Sequence, residues 1–539
     1  MSFQIDEILF LLVAVAVLAL LARKISIPYP ILLVLGGLAL ALALEDFPNL
    51  PKMKLEPDLV FLIFLPPLLF PAALFTSWRD FRANLRPISL LAVGLVLFTT
   101  VSVGYFAHHL VEGLPLAAAF ILGAIISPPD AVAATAITER LRVPRRIVTV
   151  LEGESLVNDA IALVAYRFAV VALATGSFSL GEATLKFIIV SVGGVLVGLS
   201  VGWLASQAQR RLDDPPVQIT ISILTPFAAY LPAEQFEVSG VLAVVTAGLY
   251  LGWRAPEIIG SRMRLQAGPV WQMIEFILNG MVFILIGLQL PDIWKGLAGL
   301  PIPVSRICWY AFLISVLVIV VRFIWVFAAS YLPRYFSKRL RQRDPYPPWR
   351  TVVIVAWTGM RGVVSLAAAL ALPSMIHKDI PPLGRDAVIN LIIFFTSVVI
   401  LVTLVLQGLT LPVLIRWLKV ESTGETEREE REARLKANLS AMARLAELEE
   451  GARYPTELLQ RLRVEYEDRI RQLEACDQTE GEGARWLFSS EYENLQQDAL
   501  DVERQTIVQL RNERIINDVA MRRIQRDLDL AEARLRGGE

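Results

Sequence analysis

The chain has 539 residues, of which 55% are hydrophobic and 19% charged, with a formal net charge of −1. That balance excludes an ordinary soluble domain, and the near-zero total hides a split of about +8 over residues 1–420 against about −9 over 421–539. Two cysteines, Cys308 and Cys476, are too few for a disulfide framework or a cysteine-based metal site, and no nucleic-acid partner is expected.

At the N-terminus, Asp6 and Glu7 lead straight into an apolar run without the basic start or small-residue cleavage site of a signal peptide. This run is read as a first membrane span, since a spanning helix needs about 20 mostly apolar residues. Such runs recur at 5–22, 27–44, 57–76, 86–110, 114–138, 147–174, 183–206, 217–233, 237–253, 269–290, 305–332, 350–373 and 387–418. The expectation is an all-α membrane protein of about 13 spans, a transmembrane domain over 1–420 and a helical C-terminal domain over 421–539. Basic residues alternate between the loops. About twenty, among them Arg79, Arg82, Arg86, Arg145, Arg146, Arg339 and Arg341, fall in the odd-numbered loops and about six in the others. The positive-inside rule then puts the N-terminus outside and the tail in the cytoplasm of a multi-pass cell-membrane protein. The tail shows helical stretches at 427–450 and 499–536, broken at Pro455 and near 481–483.

Ionisable groups inside spans are costly, so each needs a reason. In the fifth span, Ser127-Pro128-Pro129-Asp130 removes two backbone donors and should break the helix, leaving Asp130 at the break. The sixth span opens Glu152-Gly-Glu154-Ser155-Leu-Val-Asn158-Asp159. Helical spacing places Ser155 and Asp159 on one stripe with Glu154 and Asn158 beside it. Oxygen-bearing side chains gathered there suit a hard monovalent cation, and a carboxylate in a low dielectric can exchange a proton near cellular pH. A helix cap with a structural ion pair would account for Glu152, but not for Asp159 two turns further in. In the twelfth span, Gly359-Met360-Arg361-Gly362 again reads as an interrupted helix. Its arginine needs a carboxylate or a helix end as partner. Two breaks seven spans apart are what two inverted six-helix repeats would give, with broken helices crossing at mid-membrane and the seventh span as connector.

At these residues the chain resembles bacterial and eukaryotic antiporters of the monovalent cation:proton antiporter-1 family. The likeness rests on SPPDAVAATAI (127–137), EGESLVNDAIALV (152–164) and TGMRGVVSLAAALALP (358–373). The resemblance implies sodium (or potassium or lithium)/proton exchange by a homodimer, without catalysis or a resident cofactor. By the same resemblance Asp159 carries cation or proton, Ser155 and Asn158 complete or order the site, and Asp130 offsets the dipole ends of the crossing half-helices. The bound cation would thus sit among Asp159, Ser155 and Asp130, while Glu154 would pair with Arg361. The Asn158-Asp159 pair, where electrogenic relatives carry two aspartates, implies electroneutral exchange. One departure is Pro71, after Pro66-Pro67, where relatives often carry an acidic residue.

Among weaker candidates, Glu275 and Asn279 lie one turn apart in the tenth span and face either the core or a dimer contact. Arg322 in the eleventh lies within snorkelling reach of the inner surface. The rivals are an organic-anion transporter, which would want a basic site at mid-membrane, and a tail-gated cation channel, which needs ligands but no titratable group. An embedded hydrolase using Asp130 and Asp159 would lack an activated nucleophile.

Overall fold

The computed structural model describes residues 5–25, 28–44, 60–130, most of 134–176, 180–297, 300, 302–376 and 383–420. Of the tail it describes 425–451, 454–478, 497–510 and scattered positions beyond. The breaks expected near 481–483 and most of the stretch 511–536 lie outside the described residues, as do 131–133 of the fifth span. The chain divides into two compact units, Met1–Ser422 and Thr423–Glu539.

The first unit is all-helical among the described residues. Eight of its helices are long and apolar enough to cross a membrane, and three shorter apolar ones accompany them. In chain order these and their neighbours are α1 (Ile5–Ile25), α2 (Tyr29–Leu44), α3 (Val60–Phe75), α4 (Leu85–Leu110) and α5 (Leu116–Ile126). They continue as α6 (Arg145–Thr175), α7 (Leu180–Arg210), α8 (Pro215–Gln235), α9 (Gly240–Ile258), α10 (Ser261–Lys295) and α11 (Val304–Phe336). The twelfth segment is two pieces, α12 (Trp349–Trp357) and α13 (Val363–Leu370), and the thirteenth is α14 (Arg385–Leu418). All thirteen segments expected from the sequence therefore have a helical counterpart. The outer face of α7 shows large apolar side chains at helical spacing, Leu185, Ile189, Val192, Leu196 and Leu199, as a lipid-facing helix requires.

Packing sorts the segments into two bundles. In one, α2 packs on α10 and α1, α3 on α9, and α8 on α9, with α7 joined to it through α9 and α8. In the other, α4 packs on α5 and α11, α6 on α5, α11 on α12 and α14, and α13 on α14. Each bundle thus takes three consecutive segments from each half of the chain, the pattern that a repeat of six with a connecting seventh demands. The breaks follow from sequence. Pro128 and Pro129 end α5, whereas α12 stops before Gly359 and the chain becomes helical again only after Gly362. Helix α6 starts directly after Pro144 and stops at Gly176, whose φ of 74° is open to glycine and disfavoured elsewhere.

The tail contributes α15 (Glu425–Glu450) and α16 (Thr456–Gln478), separated at Pro455. Both are laced by exposed Arg–Glu pairs three and four residues apart, such as Arg434–Glu430 and Arg469–Glu465.

Candidate ion-binding site

The two breaks meet. The backbone N–H of Asp130 donates to the carbonyl of Met360 at 2.7 Å, so the interrupted fifth and twelfth segments touch at their broken points. The approach is so close that a Cβ on Gly362 would fall on the carboxylate of Asp130, which is why position 362 carries glycine. Gly362 is the residue before α13, so Asp130 places its negative charge at the exposed N–H groups of a helix N-terminus.

The opposite polarity is met by arginines. Arg361 donates through Nε to the carbonyl of Ile126, the last residue of α5, at 2.8 Å and through Nη1 to the carbonyl of Gly359. Its backbone N–H donates to Thr403 Oγ1 at 3.1 Å, at a π-helical turn over 403–407 in α14. Arg322 donates through Nη2 to the carbonyl of Val355 near the end of α12 at 3.1 Å. Each broken helix therefore has the carbonyls of its first half capped by a buried guanidinium.

These contacts correct two expectations. Glu154 does not pair with Arg361 but with Arg322, whose Nη1 and Nη2 donate to its two carboxylate oxygens at 2.6 and 3.0 Å. The physical reason is geometric. Both nitrogens of the Arg322 fork are available to match a carboxylate, while Arg361 has spent its Nε and Nη1 on backbone carbonyls, leaving only Nη2 without a partner. Arg322 also does not snorkel. It is 1% exposed, and the twelve residues to Arg334 at the basic end span about 18 Å of helix, more than an arginine can reach. Gly359 makes room for it, since a Cβ there would meet the Arg322 side chain at 2.5 Å.

On α6 the polar residues face two ways. Glu154 and Asn158 turn into the protein; Asn158 is wholly buried, its Nδ2 donating to the carbonyl of Pro129 at 2.9 Å while its Oδ1 finds no partner. Ser155 and Asp159 instead line a cavity of about 410 Å³ between the two bundles, together with Glu152, Asp130 and Gly362. The cavity runs from Asp159 past Glu152 to Thr76 at the end of α3, toward the arginine-rich loops. Pro71 lines it too, as do Glu275 and Asn279, so of the two alternatives the tenth-span pair faces the core. Asp159 is 8% exposed and has no cationic partner among the described residues.

Sequence reasoning did not find Tyr29, Thr403 or the role of Arg322. Tyr29 and Thr403 carry no signal in a linear pattern. Arg322 did: an arginine three turns inside an apolar run asks for a counter-charge wherever the fold can supply one.

The sequence matches the family described as "Sodium/hydrogen exchanger, transmembrane" over residues 10–417. It is 35% identical over 99% of its length to an uncharacterized Na+/H+ exchanger of Mycobacterium tuberculosis, 96% of which it covers. It is 36% identical to a sodium, potassium, lithium and rubidium/H+ antiporter of Bacillus subtilis over 76% of this chain and 61% of that protein. Among solved structures, the sodium proton antiporter MjNhaP1 of Methanocaldococcus jannaschii superposes with a TM-score of 0.59 at 19% identity, covering 77% of this chain and 98% of that one.

Proposed function

Because the chain belongs to the transmembrane sodium/hydrogen exchanger family, we propose that it exchanges a monovalent cation, sodium or potassium, for a proton, both competing for the carboxylate of Asp159. It is a multi-pass membrane transporter and not an enzyme. The observation that carries the reading is the position of Asp159. It lines a cavity beside Ser155 and Asp130, where two helices break and cross, and no arginine among the described residues neutralises it.

Electroneutral exchange is supported by the charges at the crossing itself, leaving aside Glu152 and Glu275 further along the cavity. Arg322 and Arg361 contribute two positive charges, and Glu154, Asp130 and Asp159 three negative ones. One bound monovalent cation, or one proton on Asp159, brings this group to zero. The same low charge then crosses the bilayer in both loaded states, whereas the empty, ionised site would pay the cost of a buried charge. Alternating access would move the bundle holding α6 against the bundle holding α3 and α10, since the cavity lies between them. The loop charges support a cell-membrane orientation with the tail in the cytoplasm, and the family resemblance implies a homodimer.

The test is cation-driven proton flux in sealed proteoliposomes under an imposed pH gradient. Wild type should dissipate the gradient on addition of sodium or potassium, and Asp159→Asn should not. Exchange by the variant would remove Asp159 from the carrier role, and cation flux indifferent to the proton gradient would make the protein a channel.

A further inference from the structure

The wall of the cavity opposite Asp159 belongs to the other bundle. On α3 and at its end it presents Leu65, Leu68, Leu69, Pro71, Ala72 and Phe75, whose side chains carry no oxygen, and Thr76, whose hydroxyl donates to the carbonyl of Ala72 at 2.6 Å. On α10 it presents Gln272, Glu275, Phe276 and Asn279, which recur at three and four positions and so form one stripe of that helix. Glu275 is the one carboxylate that this wall contributes among the described residues. Asn279, one turn away, is 6% exposed, lines the cavity, and has no hydrogen-bond partner among the described residues, although a buried amide ordinarily has one. Tyr29, packed on Phe276 with ring centroids 6.0 Å apart, lines the same cavity.

The geometry points to Glu275 and Asn279 as a second station for the transported cation, which recruits it from the basic end and hands it across the cavity to Asp159. The inference rests on the exchange reading above. A carboxylate oxygen and an amide oxygen one turn apart are hard ligands, and a cavity of this size lets the ion keep part of its water shell. The basic loops at this end repel cations, so a negative charge in the vestibule raises the local cation concentration where the net field would lower it. Such a station sets how much cation is needed, not how fast the loaded carrier turns over. Glu275 and Asn279 are therefore binding residues of this station, and their signature is in KM.

The experiment is the cation dependence of proton flux in proteoliposomes for wild type, Glu275→Gln, Glu275→Asp and Asn279→Leu. Removing the charge should raise the apparent KM for the cation about three- to tenfold, with the maximal rate within about twofold of wild type. Glu275→Asp should restore most of the wild-type KM, and Asn279→Leu should give a smaller rise. An inert organic salt should raise KM in wild type by screening the attraction, and less so in Glu275→Gln. An unchanged KM in Glu275→Gln overturns the station while leaving Asp159 as carrier. So does a fall in maximal rate without a change in KM. If Glu275→Gln is not recovered in folded form, the salt dependence of wild type and the KM of Asn279→Leu decide. A wild type that moves no protons with any cation overturns the exchange reading and the station together.

Discussion

Glu154 and Asp159 stand five positions apart on the same helix, both acidic and both almost wholly buried, at 1% and 8% exposure. Their environments are opposite because five residues turn a helix by about 140° beyond a full circle. Glu154 points at the Arg322 fork and has both oxygens bonded. Asp159 points at a cavity that Ser155, Asp130 and the facing wall of α10 also line. A carboxylate held by two charge-assisted hydrogen bonds is part of the architecture and cannot let go. One that faces water and has no fixed counter-charge can trade a cation for a proton. On the exchange reading proposed above, a single helix carries a structural and an exchanging acid, and only their faces tell them apart.

Substitution of the two acids should separate these roles most widely. Glu154→Gln leaves Arg322 charged and buried without its partner, at a cost on the order of 3–5 kcal/mol. It should appear as a marked fall in melting temperature and in recovery of folded protein. Asp159→Asn deprives no arginine and should leave melting within about 1 kcal/mol of wild type while exchange is lost. Equal destabilisation by both would erase the distinction.

A smaller effect tests the crossing itself. Gly362→Ala drives a methyl group onto the Asp130 carboxylate, and repacking should cost about 1–3 kcal/mol. Exchange should fall further than stability does, because Asp130 must shift away from the α13 N-terminus. Gly268→Ala in α10 is the control: a Cβ there meets nothing within 4 Å, so both stability and flux should hold or rise slightly. If the two glycine variants behave alike, the close contact of Gly362 with Asp130 is not what fixes that position.

The thirteen segments were legible because each needs its own apolar run, a local property. The breaks at Pro128-Pro129 and Gly359–Gly362 were legible for the same reason, since proline and glycine act on their own backbone. What could not be read was which charge meets which. Glu154 and Arg322 are 168 positions apart, and either of two buried arginines would satisfy one glutamate on composition alone. The requirement that Arg361 have a carboxylate or a helix end was sound. The carboxylate came from the family resemblance; the structure supplies the helix end, at Ile126. Likewise the stripe on α6 was read as one polar face. Whether Asn158 sides with Ser155 or with Glu154 depends on the broken backbone at Pro129, which packs against it.

A third acid marks the weak end of the comparison. Asp344, in the loop between α11 and α12, meets Arg334 at 2.7 Å, Arg146 at 2.9 Å and Arg86 at 3.3 Å, joining three segments of one bundle at its basic end. Partial burial works against its charge, but Arg146, Arg334 and Arg86 outweigh it and hold the carboxyl below the ordinary range. A carboxyl lower in the folded than in the unfolded chain stabilises the fold above the unfolded value, near 4, and that contribution fades as pH falls through the folded value. Asp344→Asn should therefore lower stability by about 1 kcal/mol, since water and salt screen a half-exposed cluster. The gap should be the same at pH 8 and pH 5 and close only in stronger acid, as melting curves across that range will show. A gap that changes between pH 5 and pH 8 would mean that another group titrates with the cluster, and Asp344 would then belong with Asp159 as a pH-responsive acid instead of with Glu154.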